Sequence, residues 1–314
     1  MRIVKDWEWA GLLRQTPGGK GIWDGIQFTL DPVEECDYLI MLNNRKATKT
    51  EAYCPKGNVW AIMQEPYVKY LYDWLVEGHE FYSKVFTHYL PSDNPKYIPS
   101  QPAIPWHINR TYDELIEVKV PEKSKNISWI TSKLTFLPGH QKKMAFLNFL
   151  KQNASFNIDV FGRGIRYVAV KWDGLAPYRY SIAIENSSGP DYWTEKVSDC
   201  FLAWTVPIYY GCANLEDYFP RESFIQIDID RPEWSLERIG EIIRNDEWER
   251  RIPALKESRN LILYKYQIFP YLSELIGRYA PGNVEKTDIL IPAYSSKRLI
   301  HQLKYMAESW QDVC

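Results

Sequence analysis

The chain has 314 residues, too many for one ordinary hydrophobic core and suited to two domains. Lys and Arg number 38 against 40 Asp and Glu, and the net charge of −2 excludes the electrostatic footprint of a nucleic-acid binder. A 45% hydrophobic share with 25% charged residues excludes a disordered chain, and 13 Trp and 22 Tyr supply rings that pack in cores or stack on sugars. The first fifteen residues hold no apolar run of a secretory signal. The longest apolar stretch, Phe201 to Ala213, is interrupted by Pro207 and is too short to span a bilayer. Five scattered cysteines without a C-x-x-C pair read as reduced thiols, so the expected compartment is the cytoplasm, or a peripheral place at an inner membrane. The five histidines show no metal-ligand spacing.

In chain order, Asp37 to Leu42 and Val59 to Met63 read as short buried strands, apolar and bounded by polar residues. Tyr67 to Glu77 places Val68, Leu71, Tyr72 and Leu75 on one helical face, and Ser83 to Thr87 reads as a strand. Asn94 to Pro105 carries four prolines and Glu117 to Lys125 mixes charge with Pro121, so this region reads as linker with a boundary near residue 120. Beyond it, Asn126 to Thr131 is strand-like, Gly139 to Asn153 helical, and Phe156 to Phe161 strand-like before Gly162. Tyr180 to Ile184 is the next strand, Thr194 to Trp204 a helix, and Val206 to Tyr210 and Phe224 to Ile229 two further strands. Glu237 to Ser258 and Arg259 to Tyr279 read as long helices, and Ser296 to Trp310 as a last one. Alternating strands and helices imply parallel sheets in an α/β fold. The expected domains are residues 1–120 and 121–295, with a final helix at 296–314 packing back on the first domain.

Chemistry concentrates between Tyr180 and Gly211. Glu185 and Asn186 follow the apolar strand at its carboxyl end, where open α/β sheets bind ligands. Thr194 is an N-cap for the next helix, and Lys196 falls in its first turn, against the macrodipole. An anion at that helix start would account for it, a diphosphate for example. Glu195 beside it could accept hydrogen bonds from sugar hydroxyls. Charge placement alone favours the plainer reading, in which Glu195 and Lys196 are solvated charges at a helix start.

This segment resembles the donor-binding signature of the α1,3/4-fucosyltransferases, glycosyltransferase family 10. The matching residues are Glu185-Asn186, Tyr192-x-Thr194-Glu195-Lys196, Val206-Pro207 with Gly211, then Pro220, Ser223-Phe224-Ile225 and Asp228. Upstream, Trp129 to Ser132 and Asp159-Val160-Phe161-Gly162 are similar to two family strand ends, and Lys143, with Lys142 beside it, stands where the family has a phosphate-binding arginine. In the first half, Trp60 to Pro66 resembles the family's apolar strand running into Glu-Pro, at Glu65-Pro66. The stretch Ser83 to His88 lacks the arginine usual in that region of the family.

The resemblance implies a GT-B fold, two Rossmann-like domains facing across a cleft, with acceptor binding in residues 1–120 and nucleotide-sugar binding in 121–295. It implies an inverting transfer of L-fucose from GDP-β-L-fucose to a glycan hydroxyl. Glu65 would be the general base; Lys196, the helix start at Thr194 and Lys143 would stabilise the leaving diphosphate. Asn186 and Tyr192 would hold the fucose or the ribose, Glu195 a sugar hydroxyl, and Glu185 belongs to the same donor site. No metal or other cofactor is expected, and Asp228-x-Asp230, similar to a metal motif of other glycosyltransferases, reads as a strand end. Without the anchor, stem and cysteine pairs of animal relatives, the resemblance is to a bacterial, soluble type whose acceptor is a surface polysaccharide or lipopolysaccharide precursor. Two other readings stay open: a GT-B transferase for another nucleotide sugar, and a catalytically silent sugar-binding protein.

Overall fold

The structure is a computed structural model and describes residues 1–5, 11–44, 46, 48–69, 72–280 and 285–294. The expected helix at 296–314 lies outside the described residues. The chain divides into two compact units, one formed by Met1–Ala103 with the segment from Phe269 onward, the other by Ile104–Ile268.

Unit 1 begins with β1 (Arg2–Val4), a small hairpin of β2 (Ile22–Trp23) and β3 (Ile26–Gln27), and β4 (Leu39–Leu42). It continues with β5 (Thr50–Pro55), β6 (Val59–Ile62), β7 (Lys84–Thr87) and β8 (Tyr97–Pro99). Its main sheet runs β1-β4-β6-β7-β8, parallel throughout. Leu39 to Leu42 and Val59 to Ile62 are buried along their whole length. Unbroken apolar runs are what strands covered on both faces require. The proline-rich stretch read as linker supplies β8, because the outermost strand of the sheet tolerates Pro99 where a central one would not.

The expected helix Tyr67 to Glu77 is absent from the described part of that stretch. It holds only the short 3-10 turn Asp73–Leu75, while Tyr70 and Leu71 lie outside the described residues. Its end is bonded from outside: Asn44 Nδ2 donates to Trp74 O at 2.5 Å and to Glu77 O at 2.8 Å.

Unit 2 opens with α1 (Tyr112–Glu117), whose start carries a Thr111–Glu114 capping box. Then come β9 (Lys125–Ile130), α2 (Pro138–Asn153), β10 (Asp159–Phe161), β11 (Tyr178–Gly189), α3 (Glu195–Leu202) and β12 (Val206–Cys212). β13 (Ile225–Gln226), α4 (Pro232–Asn245) and α5 (Trp248–Leu261) follow, and α6 (Ile268–Tyr279) leads back into unit 1. The sheet order is β10-β9-β11-β12-β13, again parallel. Chain order runs one way from β9 to β10 and the other way from β11 on, so the topology switches between β9 and β11. Ligands bind outside the carboxyl ends of strands at such a switch. Each unit is an α/β body on a five-stranded parallel sheet, the pair of units from which the GT-B class is built.

The boundary lies between Ala103 and Ile104 rather than near residue 120. Trp106, Ile108, Tyr112 and Leu115 are buried in unit 2, so this stretch is core and not linker. The chain also returns to unit 1 at Phe269, well before residue 295. Phe269 packs edge-on against Phe28 and Tyr279 against Phe86. β14 (Lys286–Ile291) then pairs antiparallel with β5 along its full length. The two long helices expected from 237 to 279 are broken. Asp246, at φ 41°, ends α4 in the left-handed conformation, and a π-turn at Ile262–Tyr266 separates α5 from α6. No helix among the described residues is long and apolar enough to cross a membrane.

Candidate active site

The carboxyl end of β11 builds the centre of the site. Ile184 is core, and Glu185 directly after it is 1% exposed. A carboxylate buried this deeply must be fully hydrogen-bonded. Glu185 Oε1 accepts the backbone N–H of Thr194 at 2.8 Å, and Oε2 accepts the Thr194 hydroxyl at 2.7 Å and Lys196 Nζ at 3.0 Å. The strand end and the start of α3 are thereby locked together. Lys196 Nζ also donates to Thr194 Oγ1 at 2.9 Å and pairs with Glu195 at 3.4 Å. Burial lowers the Lys196 pKa, but Glu185 and Glu195 outweigh it and hold the ammonium above its ordinary range. Glu195 is raised by burial and lowered further by Lys196, His107 and Lys171, so it stays ionised. Gly211 on β12 leaves room for this arrangement: a Cβ there would stand 2.4 Å from Glu185 Cγ.

The start of α2 closes the other side. A Cβ on Gly139 would lie 1.9 Å from the Asn186 carbonyl oxygen, so only glycine lets the helix approach β11 this closely. Lys143, 4% exposed, donates from Nζ to Asn186 Oδ1 at 3.2 Å. Burial first, then Lys196, brings its pKa down to about 8 against the opposing pull of Glu185 and Glu195. Lys142, its neighbour, points away and pairs with Asp230 at 2.8 Å on the surface. Lys143, the residue expected at the arginine position, is thus the inward one of the two. His140 in the same turn is held near 4 by burial and by Lys143 and Lys196. Its Nδ1 and the Thr131 hydroxyl at the end of β9 are buried without a hydrogen-bond partner among the described residues. Tyr192 and Thr194 are buried, and Asn186 is half-buried.

Three further residues escaped the sequence reading. Asp199, fully buried on α3, pairs with Lys171 at 2.6 Å and accepts the His107 backbone N–H at 2.9 Å. Burial lifts the Asp199 carboxyl to about 6 although Lys171 opposes it, and it lowers the His107 imidazole to about 3. The available signal was an acidic residue inside the apolar run Val197 to Trp204, which had to have a partner. Asp228 and Asp230 are tied to each other and to Lys142 and Tyr210. Among the described residues no group of His, Cys, Asp and Glu could hold a metal ion.

In unit 1, Glu65 follows β6 and is exposed at the carboxyl end of that sheet. Its backbone N–H and that of Gln64 both donate to Asn43 Oδ1, at 3.0 and 2.8 Å. Near the ends of β6 and β7, the rings of Tyr67 and Tyr89 stand 5.3 Å apart.

Residues 120–247 match the family model described as glycosyltransferase family 10 (fucosyltransferase) C-term. The 4-galactosyl-N-acetylglucosaminide 3-alpha-L-fucosyltransferase 9 of Bos taurus is 31% identical over 134 residues, 41% of this chain and 36% of that protein. The Homo sapiens protein of the same name matches to the same extent. The FUT6 enzyme of Gorilla gorilla gorilla is 26% identical over 176 residues, 54% of this chain and 45% of that protein. The chain thus spans between a third and a half of the length of these relatives. Among solved structures, an alpha1,3-fucosyltransferase with GDP-fucose aligns over 98% of this chain and 89% of its own, at 14% identity and a TM-score of 0.46.

Proposed function

We infer, from residues 120–247 belonging to glycosyltransferase family 10, that the chain is a glycosyltransferase, and we propose that it moves L-fucose from GDP-β-L-fucose to a glycan hydroxyl with inversion. The observation that carries this reading is Lys143. It is a buried ammonium with one long hydrogen bond, beside the N-termini of α2 and α3 at a topological switch point. Helix starts and an under-bonded cation suit a diphosphate. The GDP leaving group is received by Lys143, Lys196 and the positive end of the α3 dipole, which stabilise the charge that grows as the glycosidic bond breaks. Glu195, kept ionised by the ammonium groups of Lys196 and Lys171, accepts a hydroxyl of the sugar, and Asn186 borders it. Glu185 and Thr194 hold Lys196 in place from beneath. Glu65 takes the proton of the acceptor hydroxyl as it attacks. In this mechanism the lysines supply the charge that a metal supplies elsewhere, so transfer survives chelation by EDTA. The proposed acceptor is a precursor of a surface polysaccharide or lipopolysaccharide.

The test is release of nucleoside diphosphate from a panel of GDP-, UDP- and dTDP-sugars, with and without glycan acceptors. GDP set free from GDP-fucose is the expected result. UDP or dTDP release instead would keep the transferase and change the donor. Nucleotide binding without turnover on any acceptor would favour a silent sugar-binding protein.

A further inference from the structure

Glu65 lies just beyond the last residue of β6, where a chain leaving a sheet ordinarily loses its hydrogen-bond partners. Met63 N still reaches Phe86 O on the neighbouring strand at 2.9 Å. From Gln64 on, the ladder has ended. The next two N–H groups converge on a single atom, Asn43 Oδ1, at the end of the adjacent strand β4. Both lone pairs of that oxygen are thus in use. Pro66 follows, with no N–H to satisfy and a fixed φ. Asn43 itself sits at φ 67°, a left-handed conformation that Asn tolerates better than most residues, with its own N–H on Ile62 O at 2.7 Å. Its neighbour Asn44 holds the opposite wall, bonding the carbonyls of Trp74 and Glu77 and accepting from Tyr82. Loop ends are usually the least defined part of a sheet. This one is fastened from Val59 to Pro66.

We propose that Asn43 is a positioning residue for the reaction: its side-chain amide oxygen fixes the backbone of Gln64 and Glu65 so that the Glu65 carboxylate meets the acceptor hydroxyl. This rests on Glu65 being the base. A general base works only within hydrogen-bond reach of the proton it takes. A misplacement of about 1 Å can cost on the order of a hundredfold in rate.

Two substitutions separate this role from a merely structural one. Asn43→Gly keeps the left-handed backbone and removes the acceptor; Asn43→Asp keeps both. With GDP-fucose and acceptor, Asn43→Gly is expected to lower kcat roughly ten- to hundredfold while GDP affinity and donor KM stay near wild type. Asn43→Asp is expected to recover most of that loss. Its added negative charge also raises the pKa of the base, moving the acidic limb of the kcat–pH profile to higher pH. Glu65→Gln is measured in parallel. If Glu65→Gln is slow but Asn43→Gly keeps kcat within about twofold, the positioning role is overturned and the base stands. The role is also overturned if Asn43→Asp is as slow as Asn43→Gly. Should Asn43→Gly fail to fold, the acidic limb of Asn43→Asp decides alone, and an unmoved limb refutes the role. A Glu65→Gln enzyme at full speed removes the base itself.

Discussion

Lys143 shows how a single side chain makes donor binding depend on pH. Burial and Lys196 hold its pKa near 8 in the free protein. A bound diphosphate favours the protonated form, so binding takes up a proton once the pH exceeds about 8. The sign follows: affinity for GDP is steady below that value and weakens above it, by about tenfold between pH 7 and pH 9. Calorimetry across that range checks it, and Lys143→Met should abolish the slope. Lys196 plays a different part, since its charge is already paired with Glu185 and Glu195. Losing a charge-assisted bond worth about 1.5–3 kcal/mol, Lys196→Ala should bind GDP roughly ten- to a hundredfold less tightly. Glu185→Ala should instead cost stability, about 3–5 kcal/mol in urea unfolding, because it breaks a buried ion pair and leaves the Thr194 N–H without its acceptor. Glu65→Gln should lower kcat by about 10²- to 10⁴-fold with GDP affinity intact, which steady-state kinetics would read. The residues legible in the sequence lie in one contiguous stretch, Glu185 to Lys196, where order and spacing carry the signal. His107, Lys171 and Asp199 come from three separate segments, and no local pattern joins them.

At the scale of elements, the α2–β11 approach is the tightest feature of the site. Gly139→Ala forces a Cβ against the Asn186 backbone, which cannot turn aside as a side chain can. The helix start must retreat, at about 1–3 kcal/mol of overpacking, and take Lys143 with it. The expected outcome is a folded protein of lower melting temperature and clearly weaker GDP binding, measured on the same sample. The central strands were legible because their burial on both faces leaves unbroken apolar runs, as in Leu39 to Leu42 and Val206 to Ile208. β1, β5, β8 and β14 were not. β5 alternates buried and exposed residues over Thr50 to Tyr53, and β14 is largely exposed, so neither presents an apolar run. The apolar period over Tyr67 to Glu77 suggested a helix, but the described part of the stretch forms separate local turns, Tyr72 N–H on Val68 O and Leu75 N–H on Tyr72 O, with Asn44 bonding its far end.

At the scale of the molecule, unit 2 is one continuous stretch and unit 1 is not. A fragment of residues 104–268 should therefore fold alone and bind GDP, as circular dichroism and calorimetry can establish. A fragment cut at residue 121 should not fold, since it loses Trp106, Ile108, Tyr112 and Leu115 from the core and the His107 N–H from Asp199. Ending the chain after Gln267 should unfold unit 1 and leave GDP binding in place, because β5 loses its ladder with β14 and Phe28 and Phe86 lose the rings of Phe269 and Tyr279. The same discontinuity sets an order on synthesis. The first 103 residues leave the ribosome with the edge of β5 bare, and the strand that covers it is complete only at Ile291. At roughly 5–20 residues per second, this wait lasts on the order of 10–40 s. The five-stranded sheet of unit 1 is complete in that first stretch, so the exposure is confined to β5, whose unpaired edge stays open to other strands until translation has nearly run its course.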